Sequence, residues 1–426
     1  MISLHVAVDD PPRRRGWLSL IVAYVAYTLA MCVIVWLRAE STTDFRDFWE
    51  TGRRFLERGE ITDQLGVHNY LPFFVIFMSP WSWLPLHAAI VLFTLLSLGV
   101  FALTVVMVET LLCGELPRRP RPAMLAVVGL MLPYVTSCAV LGAVGLLLLF
   151  LVVATWFLIE RRREWLAGVA LGLAILIKLL PAVLLPFLIF RGRWRAVVAS
   201  AGVCLVLGLG WPLALLGYHR TVDRHASFYH DALRGHSAIA AIHAEKPLKA
   251  NYSNNALPIV LRRLLSPVNA GKENQQLFVN LANLPTGTIA AVFSTVLAIV
   301  LLATAAVSLQ PAVRLRPRRA EDVYTLRAGF GAWCCLMLLA SPLVWTHYLP
   351  LVYWPLALLA HRVERSARQR HVNKTCVSAL LAWLLCAALL VWPTARAAGA
   401  QLVAVFVLWL VAVLESVRAN RPRAGS

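Results

Sequence analysis

Apolar runs of about twenty residues, the length of a helix across a bilayer, recur from one end of this chain to the other, and short arginine clusters separate them. The first is Trp17–Leu37, behind Arg13–Arg15. Ala88–Leu112 follows, then Ala123–Ser137 and Gly142–Ile159. The run between Leu166 and Phe190 has basic flanks on both sides and is interrupted by Lys178 and Pro181, so it predicts a pair of short spans that turn at the lysine. Val197–Leu216, Thr286–Ser308 and Tyr324–Ala340 are further spans. A return leg ends at Ala360, and Cys376–Val391 and Leu402–Val417 complete the set. Tyr70–Leu86 is apolar but broken by Pro72, Pro80 and Pro85, and it predicts an interfacial or re-entrant segment. The pattern is that of an all-α polytopic membrane protein of about twelve transmembrane helices. A closed barrel is excluded, because its strands alternate lipid-facing and lumen-facing residues.

The basic clusters set the orientation. Arg13–Arg15, Arg118–Arg121 and Arg161–Arg163 flank successive spans, and positive flanks stay cytoplasmic. Residues 17–417 are then one transmembrane domain with cytoplasmic tails at 1–16 and 418–426. Outer loops fall at 38–70 and 217–285. Hydrophobic residues make up 60% of the 426 and charged residues 14%, so the net charge of +19 resides mostly in these flanks and does not indicate nucleic-acid binding. The first apolar run has no small-residue cleavage site after it and is expected to remain as a helix. The eight cysteines form no CxxC pair and lie mostly inside apolar runs, which points to neither a metal centre nor a disulfide framework.

With this topology the distinctive polar residues collect on the outer side. Asp44 and Asp47 in "TDFRDFW" are three apart and share a helix face, beside Phe45, Phe48 and Trp49. A carboxylate at such a boundary is partly desolvated, which raises its pKa and its strength as a base. The same stretch also fits a solvated juxtamembrane helix. Lys178 is a cation in apolar surroundings, suited to a lipid phosphate or to snorkelling. His347 and Trp345 sit at the tip of a span pair, as sugar or phosphate ligands or as part of an aromatic belt. His219, His225, His230, His236 and His243 in the long loop show no metal-ligand spacing, so no metal site is expected.

These residues, in this order, resemble glycosyltransferase family 87, whose members are integral-membrane enzymes of the GT-C fold. The matching stretches are "TDFRDFW" at Thr43–Trp49, "YLPFFVIFMSPWSWLP" at Tyr70–Pro85, "IKLLP" at Ile177–Pro181, the basic "RGRWR" at Arg191–Arg195, Asn254–Leu264, and "SPLVWTHY" at Ser341–Tyr348. Two departures stand out. "GAVG" at Gly142–Gly145 replaces an amide-bearing segment, and Asn254 is followed by Asn255–Ala256 where the family usually has Gln-Ser. The resemblance implies transfer of a hexose, most often mannose, from a polyprenyl-phosphate donor to a lipid or glycan acceptor. It places that reaction on the outer face of a bacterial plasma membrane, as part of cell-envelope synthesis. It makes Asp44 the catalytic base of an inverting displacement and Asp47 its neighbour. Lys178, His347 and loop arginines become cations for the leaving phosphate, and Asn254, Tyr70 and Trp345 become substrate contacts. No cofactor is implied, and the donor is a co-substrate. The partners are the donor, the acceptor and membrane lipids. A transporter or lipid flippase is the alternative that the span count also fits.

Overall fold

The computed structural model describes residues 11–418 apart from 42–43, 60, 62–69, 236, 245–248, 273, 310–319 and 371–372. Thr43, His236, residues 1–10 and 419–426 of the expected tails, and the arginines between 314 and 319 therefore lie outside the described residues. Among those described, helices dominate and no β-strand forms; one antiparallel bridge joins Asn254 to Trp345.

The chain opens with α1 (Pro11–Leu37) and the amphipathic α2 (Asp44–Arg58). The short α3 (Pro72–Met78) runs through a 3-10 turn at Ser79–Trp83 into the long α4 (Leu86–Cys113). The prolines within Tyr70–Leu86, Pro80 and Pro85 above all, keep that segment from becoming one helix, as expected. Then come α5 (Pro122–Leu141), α6 (Gly145–Glu160) and α7 (Glu164–Ile177). At Lys178 the backbone turns extended (φ −155°, ψ 132°), and a 3-10 turn leads into α8 (Leu184–Phe190). The split at the lysine is thus observed. Helices α9 (Trp194–Leu205) and α10 (Trp211–Leu216) are joined through a π-turn into one long span.

The long loop carries α11 (Tyr218–Phe228), α12 (Ala238–His243) and α13 (Leu257–Leu265). The last helices are α14 (Thr286–Leu309), α15 (Ala320–Leu339), α16 (Tyr353–Arg368), α17 (Lys374–Ala388) and α19 (Ala400–Arg418), with the small α18 (Pro393–Ala397) before α19. Seven of these helices are long and apolar enough to cross a membrane. Four more apolar helical stretches are shorter: Gly145–Glu160, Glu164–Ile177, Leu180–Phe190 and Val323–Leu339. With the 3-10 turn Thr346–Val352 running into α16, the segments correspond one for one to the twelve runs in the sequence.

An aromatic core ties the short helices together. Trp156 of α6 stacks on Phe330 of α15 at 4.8 Å, and Phe187 of α8 and Trp354 of α16 close around them. Such offset and edge contacts add to the apolar area these rings bury. The core fixes α6, α8, α15 and α16 relative to each other, and the cavity residues Lys178 and Trp345–Tyr348 lie on segments that adjoin these helices.

Candidate active site

Helix α2 lies across one end of the bundle. Phe45 and Phe48 are buried, the first against Phe93 and the second against Phe74. The Trp49 indole donates to the Leu84 carbonyl at 3.0 Å, and Ser82 Oγ donates to the Trp49 carbonyl. The apolar side is therefore pinned, and its outward charges pair locally as Arg46–Glu50 and Arg53–Glu57. Asp44 and Asp47 are left on the side that faces inward over a cavity of about 750 Å³.

The glycines of "GAVG" explain how α2 sits so low. Gly142 ends α5 with φ +62°, and a Cβ there would fall on the Phe45 side chain. A Cβ on Gly145 would fall on the His347 carbonyl oxygen. The segment that departs from the family pattern is thus the seat for both Asp44's helix and the His347 turn. Its amides are exchanged for close approach.

Asp44, Asp47, Tyr70, Lys178, Trp345 and His347 all line this one cavity. Lys178 Nζ donates to the Tyr348 hydroxyl and lies 5.0 Å from the centre of the Tyr70 ring. Among the described residues the Asp44 carboxylate has no hydrogen-bond partner, and its close ionisable neighbour is His347, with Nε2 3.7 Å from Oδ2. Burial raises the Asp44 pKa, opposed by the charges of Lys178 and Lys249. Asp47 is pushed up to about 6, first by burial and then by the negative charges of Asp44 and Glu50.

Three expectations change. His347 faces Asp44, and burial, with Lys178 beside it, pushes its pKa down, which disfavours the expected cation role. Asn254 is buried and does not line the cavity. Its Oδ1 accepts from the backbone N–H groups of Ala256 and Val344, and its Nδ2 donates to the Lys249 carbonyl. It holds the long loop to the 341–348 turn, so its contact with substrate is replaced by a positioning role. The loop arginines Arg262 and Arg263 also point inward. Arg263 donates to the carbonyls of Asn251 and Asn254, and Arg262 to Ser266 Oγ and the Ala244 carbonyl.

The cations that do line the cavity beside Lys178 are Lys249, Lys272 and Arg396. Arg396, from α18, donates to Thr346 Oγ1 at 3.1 Å and lies over the Tyr252 ring. Sequence reasoning passed over it, because one arginine in a ten-residue turn between two spans looks like any loop charge. The "NYSNN" island was the available signal, since Arg396 packs on its tyrosine and serine. Asp44 and Asp47 are the only carboxylates among the lining residues. Glu109, Cys113 and His361 form the one described group with metal-ligand atoms within 4.8 Å of one another, and it lies at the far end of α4.

The family model for glycosyltransferase family 87 matches residues 68–342. The chain belongs to glycosyltransferase family 87. Two mycobacterial relatives are each named as a polyprenol-phosphate-mannose-dependent alpha-(1-2)-phosphatidylinositol mannoside mannosyltransferase. The protein of Mycobacterium tuberculosis is 34% identical over 159 residues, covering 34% of this chain and 37% of that one. The protein of Mycolicibacterium smegmatis is 29% identical over 183 residues, covering 39% and 41%. The similarity therefore spans about two fifths of the length of these relatives. No solved structure matches the chain at a significant level.

Proposed function

We propose that this family 87 protein is a membrane glycosyltransferase that moves a hexose, mannose by the names of its relatives, from a polyprenyl-phosphate donor to a glycolipid or glycan acceptor. Asp44 is the general base. The observation that carries the reading is a desolvated carboxylate, with no hydrogen bond among the described residues, sharing one cavity with three lysines and an arginine. The acceptor hydroxyl oxygen bonds to the anomeric carbon from the face opposite the phosphate. Its proton passes to Asp44. The bond from that carbon to the phosphate oxygen breaks, and its electron pair leaves on polyprenyl phosphate. One such displacement inverts the centre through an oxocarbenium-like transition state.

The negative charge that develops on the phosphate is met by fixed cations, Lys178 held by Tyr348 and Arg396 held by Thr346. Neutral His347 leaves Asp44 ionised without trapping it in a tight ion pair. The reaction takes place at the outer face of a bacterial inner membrane with both termini cytoplasmic, by the arginine pattern of the flanks.

The test uses the purified full chain in proteoliposomes with polyprenyl-phosphate mannose and phosphatidylinositol mannoside, or extracted envelope lipids, as acceptors. Wild type transfers the sugar and Asp44→Asn does not. Undiminished transfer by Asp44→Asn removes the proposed base, and loss in Asp47→Asn alone moves the role to the next turn of the helix.

A further inference from the structure

A second cavity, of about 210 Å³, opens at the other end of the bundle, where α4, α15 and α16 meet. It is separated from the first by the length of α4, about 40 Å. Four arginines line it (Arg121, Arg327, Arg362 and Arg365), with His361 and Tyr324, and no carboxylate is among the lining residues.

The acids of this region stand behind the arginines. Glu364 holds Arg121 at 3.2 Å, Glu160 holds Arg327 through two hydrogen bonds, and Glu415 lies 3.7 Å from Arg362. His361 is bonded to Glu109. The guanidinium groups are thus oriented by partners outside the cavity, and Arg365 on its rim makes no ion pair among the described residues. Arginines that serve only as orientation flanks need not converge; these do. Guanidinium forks match phosphate oxygens. The space is smaller than a site for a whole ligand of drug size. Leu112, Val323 and Leu358 give it an apolar wall.

We propose that this cavity binds a phosphate group, carried by an anionic lipid headgroup or by a small soluble phosphate compound, at the end of the protein opposite the Asp44 cavity. The claim is independent of the proposed reaction.

The test measures binding to the purified full chain by native mass spectrometry and by thermal stabilisation. One arm adds phosphatidylglycerol, with phosphatidylcholine as its neutral control, and the other adds inorganic phosphate or pyrophosphate. The variant is Arg362→Gln/Arg365→Gln, which leaves the Arg121 and Arg327 pairs intact. A charge-matched control, Arg161→Gln/Arg162→Gln, removes two arginines outside the cavity. Retention of phosphatidylglycerol that falls about tenfold in the cavity variant and not in the control supports a lipid site. The same pattern with inorganic phosphate alone supports a soluble ligand. Equal loss in the two variants reduces the arginines to a general charge belt, and no loss in either leaves no site; both overturn the proposal. Helical circular dichroism of the variants confirms that they fold, and Arg365→Lys, keeping the charge without the fork, is expected to bind at an intermediate level.

Discussion

The two ends of the bundle use their charges differently. At the far end nearly every described carboxylate is matched: Glu160 with Arg327, Glu364 with Arg121, Glu109 with His361. At the other end Asp44 has no hydrogen bond among the described residues, and Lys249 and Lys272 form no ion pair among them. A paired charge at a membrane boundary fastens helices. An unpaired one, desolvated and fixed by neutral neighbours, is costly unless something arrives to complete it. That contrast, more than any single residue, separates site from scaffold here.

Breaking the unpaired end should remove activity and spare the fold. Asp44→Asn is expected to lower sugar transfer about a thousandfold, with the melting temperature unchanged, as measured by labelled mannose incorporated into lipid. Lys178→Met removes a fixed cation from the leaving phosphate and should lower kcat about a hundredfold. A Lys178→Arg variant that recovers little would show that the hydrogen bond to Tyr348 matters as well as the charge.

Breaking the paired end should do the reverse. Arg327→Met strands Glu160 where both side chains are mostly buried, and about 3 kcal/mol of stability is expected to be lost, read by thermal denaturation in detergent. Transfer per folded molecule should stay near wild type. A large fall in kcat without a fall in stability would mean that the two ends are coupled.

The smallest effect sharpens the roles of the two aspartates. Asp44 works as a base only when ionised, so the rate falls as pH drops through its raised pKa. Asp47, titrating at about 6, is held up in part by the negative charge of Asp44. The causes that shift Asp44 itself, burial against the charges of Lys178 and Lys249, stay in place in Asp47→Asn, so the acid limb of the kcat/KM profile is expected to stay where it is. Movement of that limb would mean that the two carboxylates titrate as a coupled pair.

Much of this was legible in the chain. The apolar runs mark every span because hydrocarbon admits so few alternatives to a helix. Lys178 announced itself by being a charge in such a run, and Asp44 and Asp47 by their spacing beside aromatics. The structure was needed for everything that depends on loops folding back. Arg396 lies far along the chain from Lys249 and Lys178, and no periodicity brings them together. Asn254 shows the opposite failure. A polar residue beside a helix start looks like a ligand until its three hydrogen bonds are seen to be spent on the backbone. "GAVG" looked like a loss of two amides, and only the contacts with Phe45 and His347 show what the small residues gain.

The shortness of the helices under the cavity has one further consequence. Helix α7 has 14 residues and rises about 21 Å before it stops at Lys178, whereas the hydrocarbon layer of a bilayer is about 30 Å thick. A helix that starts at one surface of such a layer ends short of the other, so the cavity that Lys178 lines would be recessed in the proposed orientation rather than raised into water. A recessed cavity would tie the proposed transfer to its solvent: bilayer thickness is expected to change the rate, as proteoliposomes of different acyl-chain length would read.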